Sequence, residues 1–273
     1  MRFATLIAIA LLSLALFPAA PARAEVKTRT LEYKDGDATL KGYVAWDDSI
    51  KQVRPGVLVV PEWWGVNEYV KNRARQLAEL GYVAIVADIY GDGFTTSDAN
   101  VAGEKAGEAK NNNLLRTRGK LALEQLKKNE NVDPTNVAAI GYCFGGGTVL
   151  EMARDGQDLK GVVSFHGALD TKQPARQGAV KPRVLVLHGD ADPLVPPAQV
   201  EALEQEMKSA GASATVIRYP GAKHSFTNPD ADKVGMEAVG YQQAADEKSW
   251  ADMKAFFAEI FGPANPKPKA AKG

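Results

Sequence analysis

Among 273 residues there is one cysteine, Cys143. An intramolecular disulfide is therefore excluded, and so is a cysteine pair for metal binding. Histidine is almost as scarce. His166, His188 and His224 are scattered with no metal-ligand spacing, so neither a metal nor a cofactor is expected. No charge of one sign dominates, with 33 basic and 33 acidic side chains. That balance lacks the basic footprint of a nucleic-acid or anionic-membrane binder. No apolar run beyond residue 24 approaches a membrane-spanning length, so no stable membrane insertion is expected. There is no internal repeat and no G-x-G-x-x-G, which argues against dinucleotide binding.

What is present begins at the N-terminus. Met1-Arg2 is a short positive start, Ala4 to Ala20 is almost wholly apolar, and Ala22-Arg23-Ala24 fits a small-x-small cleavage site. This predicts a signal peptide over 1–24, cut before Glu25, and a periplasmic or secreted protein. The run is short for a membrane anchor, and Pro18 and Pro21 interrupt its end. Removing 1–24 takes away Arg2 and Arg23 but no acid, leaving 31 bases against 33 acids, a net of −2. In an oxidising compartment a lone thiol is either a small buried hydrophobe or a functional group. At the other end, Pro263 to Gly273 is rich in Pro, Ala and Lys and predicts a disordered tail. Residues 25–262 then form one domain, expected to be a monomer.

Within that domain, strand-like and helix-like patterns alternate. Lys27–Tyr33 and Thr39–Trp46 flank Asp35-Gly36-Asp37 as a hairpin. Short apolar runs follow at Gly56–Val60, Tyr82–Ala87, Val137–Tyr142, Gly161–Phe165, Val184–His188 and Ala214–Tyr219. Such runs suit strands buried on both faces. Helical periodicity lies between them at Tyr69–Leu80, Asn113–Lys128, Gly146–Arg154, Pro197–Ala210 and Gln242–Phe261. The pattern predicts an α/β fold, a mostly parallel twisted sheet with helices on both faces. Ligands in such sheets sit beyond the carboxyl ends of the strands. Glu62, Asp88, Cys143, His188 with Asp192, and His224 all follow apolar runs.

Gly141-Tyr142-Cys143-Phe144-Gly145 has the spacing of a nucleophile elbow, with Cys in place of the usual Ser. A sharp strand-to-helix turn tolerates only glycine two before and two after its apex. The helix start favours thiolate over thiol, and the Phe144 N–H faces a developing oxyanion. His224 supplies a base and Asp192 an acid to orient it, in chain order nucleophile, acid, histidine. Asp190 competes with Asp192, while His166 and His188 read as satisfied structural histidines. Glu62 is either a solvated loop acid or a buried carboxylate that affects the thiol's protonation. The Trp63 N–H is the second oxyanion donor. Trp63 and Trp64 line a pocket, or else belong to the core or rim; Tyr90 and Phe226 are candidate pocket residues.

With those residues in place, the chain resembles the dienelactone hydrolase family of α/β-hydrolases over about Pro55 to Phe261. The resemblance is carried by Pro61-Glu62-Trp63-Trp64-Gly65-Val66-Asn67, Gly81-Tyr82-Val83-Ala84, Asp88-Ile89-Tyr90 and the Cys143 elbow. His188-Gly189-x-x-Asp192 with Val195-Pro196, and Gly221-Ala222-Lys223-His224-Ser225-Phe226, complete it. It implies a Cys143–Asp192–His224 triad, a Glu62 that interacts with the nucleophile, and oxyanion donors at Trp63 and Phe144. It implies hydrolysis of small carboxylic esters or lactones through an acyl-thioester. Family members acting on dienelactone bind its carboxylate with arginines. The corresponding stretches here are Gly91-Asp92-Gly93 and Thr227-Asn228. Asp92 is expected to repel a carboxylate, so a neutral ester, lactone or thioester fits better. Gly91–Asn113 is expected to form a mobile part of the pocket rim. The other readings of the lone thiol are a non-hydrolytic ligand-binding protein and a redox sensor. The sensor needs a partner thiol.

Overall fold

The computed structural model describes residues 25–262. The expected signal peptide and tail lie outside the described residues. The chain runs β1 (Val26–Asp35), β2 (Ala38–Asp47), β3 (Arg54–Val60), α1 (Glu68–Glu79), β4 (Val83–Val86), α2 (Ala99–Asn111), α3 (Leu114–Lys128) and β5 (Val132–Tyr142). It continues through α4 (Phe144–Arg154), β6 (Gly161–Phe165), β7 (Arg183–Gly189), α5 (Pro197–Ser209), β8 (Ala214–Tyr219), a short 3-10 turn at Ala231–Val234, and α6 (Gln243–Phe261).

All eight strands form one sheet in the order β1-β2-β4-β3-β5-β6-β7-β8. The pairs β1–β2 and β2–β4 are antiparallel and the other five are parallel. The central strands are apolar on both faces because both faces are covered. Alternate residues divide between two cores. Val57, Val59, Ala138 and Ile140 pack with α1 and α6, through Val70, Leu77, Met253 and Phe257. Leu58, Val60, Val137 and Ala139 pack on the opposite side with α3, α4 and α5, through Leu126, Leu150 and Leu203.

The stretch expected to be a mobile rim is instead largely helical, as α2. The Asp98 carboxylate caps it by accepting from the amides of Asn100 and Val101. Its Ala102 and Ala109 are buried. The stripe Ala99, Ala102, Ala106, Ala109 carries that face, and the surrounding glycines and asparagines mask it in the sequence.

Candidate active site

The strand order reverses at β3. Its successor β4 lies on one side, and β5 and everything after it on the other. Loops leaving neighbouring strands at such a switch point diverge and leave a crevice. Glu62 and Trp63 leave β3, and Cys143 leaves β5. These ends are paired directly, Val60 beside Gly141.

Cys143 sits at φ 53° and ψ −117°, a conformation few non-glycine residues adopt. The turn is tight enough to need its flanking glycines. A Cβ on Gly141 would lie 2.0 Å from the Gly145 carbonyl oxygen, and one on Gly145 would lie 2.2 Å from that of Val60. The thiol is half-buried at the N-terminus of the 11-residue helix α4.

The loops after β7 and β8 bring the other two residues there. Nδ1 of His224 is 2.7 Å from Oδ2 of Asp192. The other oxygen of Asp192 accepts from the amides of Leu194 at 2.8 Å and Val195 at 3.2 Å, so the carboxylate is held on both sides. Asp190 instead faces solvent in a 2.7 Å pair with Arg218. His224 is buried and lines one cleft together with Cys143. Burial pushes its pKa down. The charge on Cys143, the hydrogen bond His224 donates to Asp192, and the Asp192 charge outweigh that and raise it to about 10. The imidazole therefore retains a proton well above the ordinary histidine range.

Glu62 is buried rather than solvated, with 1% exposure. Its Oε1 accepts from the Ser225 hydroxyl at 2.9 Å and its Oε2 from the Asn228 amide at 2.8 Å. Burial raises its pKa, opposed by those two hydrogen bonds and by the charges of His224 and Arg73. Both oxygens are thus committed to the loop that carries His224. The sequence motif shows Ser225 and Asn228 beside His224 but not this grip on Glu62. The amides of Trp63 and Phe144 donate to no protein acceptor among the described residues.

A small cleft of about 80 Å³ opens over Cys143 and His224, walled by Trp63, Trp64, Leu194, Val234, Met236 and Val239. Two expected pocket residues are elsewhere. Phe226 is fully buried in the core against His166 and Tyr219, because the left-handed Ser225 (φ 57°) turns the chain inward there. Tyr90 stands behind the wall, its hydroxyl donating to the Trp63 carbonyl at 3.1 Å and its ring packed on Phe144. Asp92 also lies outside the cleft, paired with Lys41 at 3.6 Å. Asp88 is a loop cap whose carboxylate accepts from the amides of Lys41, Tyr90, Gly91 and Gly93. His188 differs from the satisfied residue expected, since its buried Nδ1 has no partner. His166 is satisfied at both ring nitrogens. Among the described residues no group of three His, Cys, Asp or Glu could hold a metal ion. No described helix is long and apolar enough to cross a membrane.

Comparison with known proteins adds a family. Residues 40–261 match the model of the dienelactone hydrolase family. The dienelactone hydrolase-like promiscuous phosphotriesterase P91, from metagenomic libraries, shares 37% identity at a TM-score of 0.82. That match covers 87% of this chain and 99% of P91. A Caenorhabditis elegans protein, K02A2.1, is 34% identical over 152 residues, covering 55% of this chain and 96% of its own length. The dienelactone hydrolase of Anabaena variabilis shares the fold, with a TM-score of 0.60 at 20% identity, covering 84% and 98% of the two chains.

Proposed function

The chain belongs to the dienelactone hydrolase family of ester and lactone hydrolases, and we propose that it works through a Cys143–His224–Asp192 triad and an acyl-thioester. The observation that carries this is the strained Cys143 elbow at the switch point, sharing its cleft with a histidine that Asp192 orients. With the shared proton on His224, the Cys143 thiolate attacks the substrate carbonyl. The oxyanion is met by the amides of Phe144 and Trp63. His224 gives its proton to the departing alkoxide, leaving a thioester on Cys143. Water then attacks the thioester while His224 takes its proton. Collapse of that second tetrahedral intermediate releases the acid and regenerates the thiolate–imidazolium pair. Glu62 holds the loop that carries His224 through Ser225 and Asn228.

The substrate is a neutral ester or lactone with an apolar group. No Lys or Arg lines the cleft. Of the three large hydrophobics exposed among the described residues, Leu194 and Val234 are at this cleft, and only Leu80 is elsewhere. The leader read in 1–24 supports export, and the working protein begins at Glu25.

Turnover of p-nitrophenyl esters by residues 25–273 tests the reading. Neutral acyl groups are expected to exceed a carboxylate-bearing acyl group of the same length in kcat/KM. Cys143→Ala and His224→Ala are expected to fall by about three orders of magnitude or more. Equal rates for a folded, reduced wild type and both variants would remove the triad.

A further inference from the structure

One buried group close to the thiol has no part in that mechanism. The Cys143 amide makes two hydrogen bonds, to the Phe165 carbonyl at 3.0 Å and to Nδ1 of His166 at 3.1 Å. A backbone amide only donates, so Nδ1 is the acceptor and the neutral ring carries its proton on Nε2. Nε2 lies 2.7 Å from Oγ1 of Thr227 and donates there. Thr227 is fixed in turn. Its hydroxyl pairs with that of Tyr69 at 2.6 Å, and its carbonyl accepts from buried Arg73 at 2.6 Å. His166 is fully buried and itself left-handed, at φ 39°, so its ring folds back beneath the elbow. Its edge meets the His224 ring, with centroids 5.3 Å apart.

From this geometry we propose that His166 is a positioning residue for the reaction. It ties the nucleophile's amide to the loop bearing the catalytic base and so fixes Cys143 relative to His224. The inference rests on the reading of Cys143 and His224 as nucleophile and base. Thr227 lies only three residues beyond His224, so the bridge spans the ends of β5 and β6 and the loop after β8 through one side chain. The elbow needs such a brace because its backbone conformation is unfavourable in isolation. Only one form of the ring serves. A proton on Nδ1 would set N–H against N–H, and a cation would do the same. Burial, with the positive charges of His224 and Arg73, keeps the ring neutral.

The test is a double-mutant cycle measured per alkylatable thiol. In His166→Asn, Oδ1 accepts from the Cys143 amide, but the side chain is too short to reach Thr227. Thr227→Val removes the acceptor at the other end with little change of shape. Each is expected to lower kcat by about ten- to a hundredfold with KM near wild type, since the substrate's own contacts are untouched. The double variant is expected to be no worse than the worse single, because both break one bridge. Lower melting temperatures with unchanged kcat per thiol would reduce His166 to packing and overturn the proposal. A second measurement needs no variant. In the wild type, His166 should show an unprotonated Nδ1 and a protonated Nε2 by nitrogen-15 NMR throughout about pH 5 to 9. A proton on Nδ1, or titration in that range, would also overturn it. Full turnover by Cys143→Ala would instead remove the nucleophile reading and leave the tautomer result standing.

Discussion

Gly145→Ala is the sharpest probe of how the elbow meets the β3 loop. The added Cβ would stand 2.2 Å from the Val60 carbonyl oxygen and 2.5 Å from that of Pro61, where real contacts are not below 3.0 Å. Both are backbone atoms at the end of β3 and cannot rotate away. The β3 end and the first turn of α4 must therefore separate by nearly 1 Å. That seam lies between the two proposed oxyanion donors, Trp63 on one side and Phe144 on the other. Misplacement of this size costs about a hundredfold in rate, and loss of one donor costs about 3 to 4 kcal/mol in the transition state. Overpacking adds about 1 to 3 kcal/mol of lost stability. Gly147→Ala is the control. Its Cβ meets Ala168 at 3.0 Å, away from β3. The assay is kcat/KM per titrated thiol together with thermal melting. Gly145→Ala is expected to lose at least a hundredfold in kcat/KM where it folds, and Gly147→Ala less than tenfold. Wild-type rate and melting in Gly145→Ala would refute the close approach and the oxyanion site built on it.

Two further predictions concern protons. In Cys143→Ser the leading upward cause on His224, the thiolate charge, is gone, so its pKa should fall from about 10 toward the ordinary histidine value by NMR titration. An unchanged value would show that Asp192 alone sets it. In Glu62→Gln the raised carboxylate pKa is removed. A raised acid means the folded state holds the proton more tightly than the unfolded one. Wild-type stability is therefore fullest below the ordinary glutamate range and declines as pH rises through the folded value. The wild type should thus lose ground to Glu62→Gln over that window, by up to about 1.4 kcal/mol per pH unit, in urea titrations across pH. Parallel stability curves would contradict this.

The sheet, five of the six helices and the cluster at the switch point were legible in the sequence. Short apolar runs such as Val57–Val60 declare strands covered on both faces, and chemically capable residues follow them directly. The elbow was legible because its glycines are sterically forced. The misses have separate causes. Helix α2 carries its face on alanines, which give a weak periodic signal. Phe226 and Tyr90 read as pocket residues because position after a strand does not say which way a side chain turns. The left-handed Ser225 decides that for Phe226. The grips of Ser225 and Asn228 on Glu62, and of His166 on Cys143, span 163, 166 and 23 residues, so no local pattern contains them.

The proposed mechanism depends most on Cys143 carrying the acyl group. Rapid acid quench of residues 25–273 turning over p-nitrophenyl butyrate, followed by peptide mass spectrometry, reads this directly. A butyryl adduct on the Cys143 peptide is expected, labile to hydroxylamine, absent from Cys143→Ala and persistent in His224→Ala wherever acylation still occurs. Turnover with the adduct on another residue, or undiminished turnover in Cys143→Ala, would contradict the account.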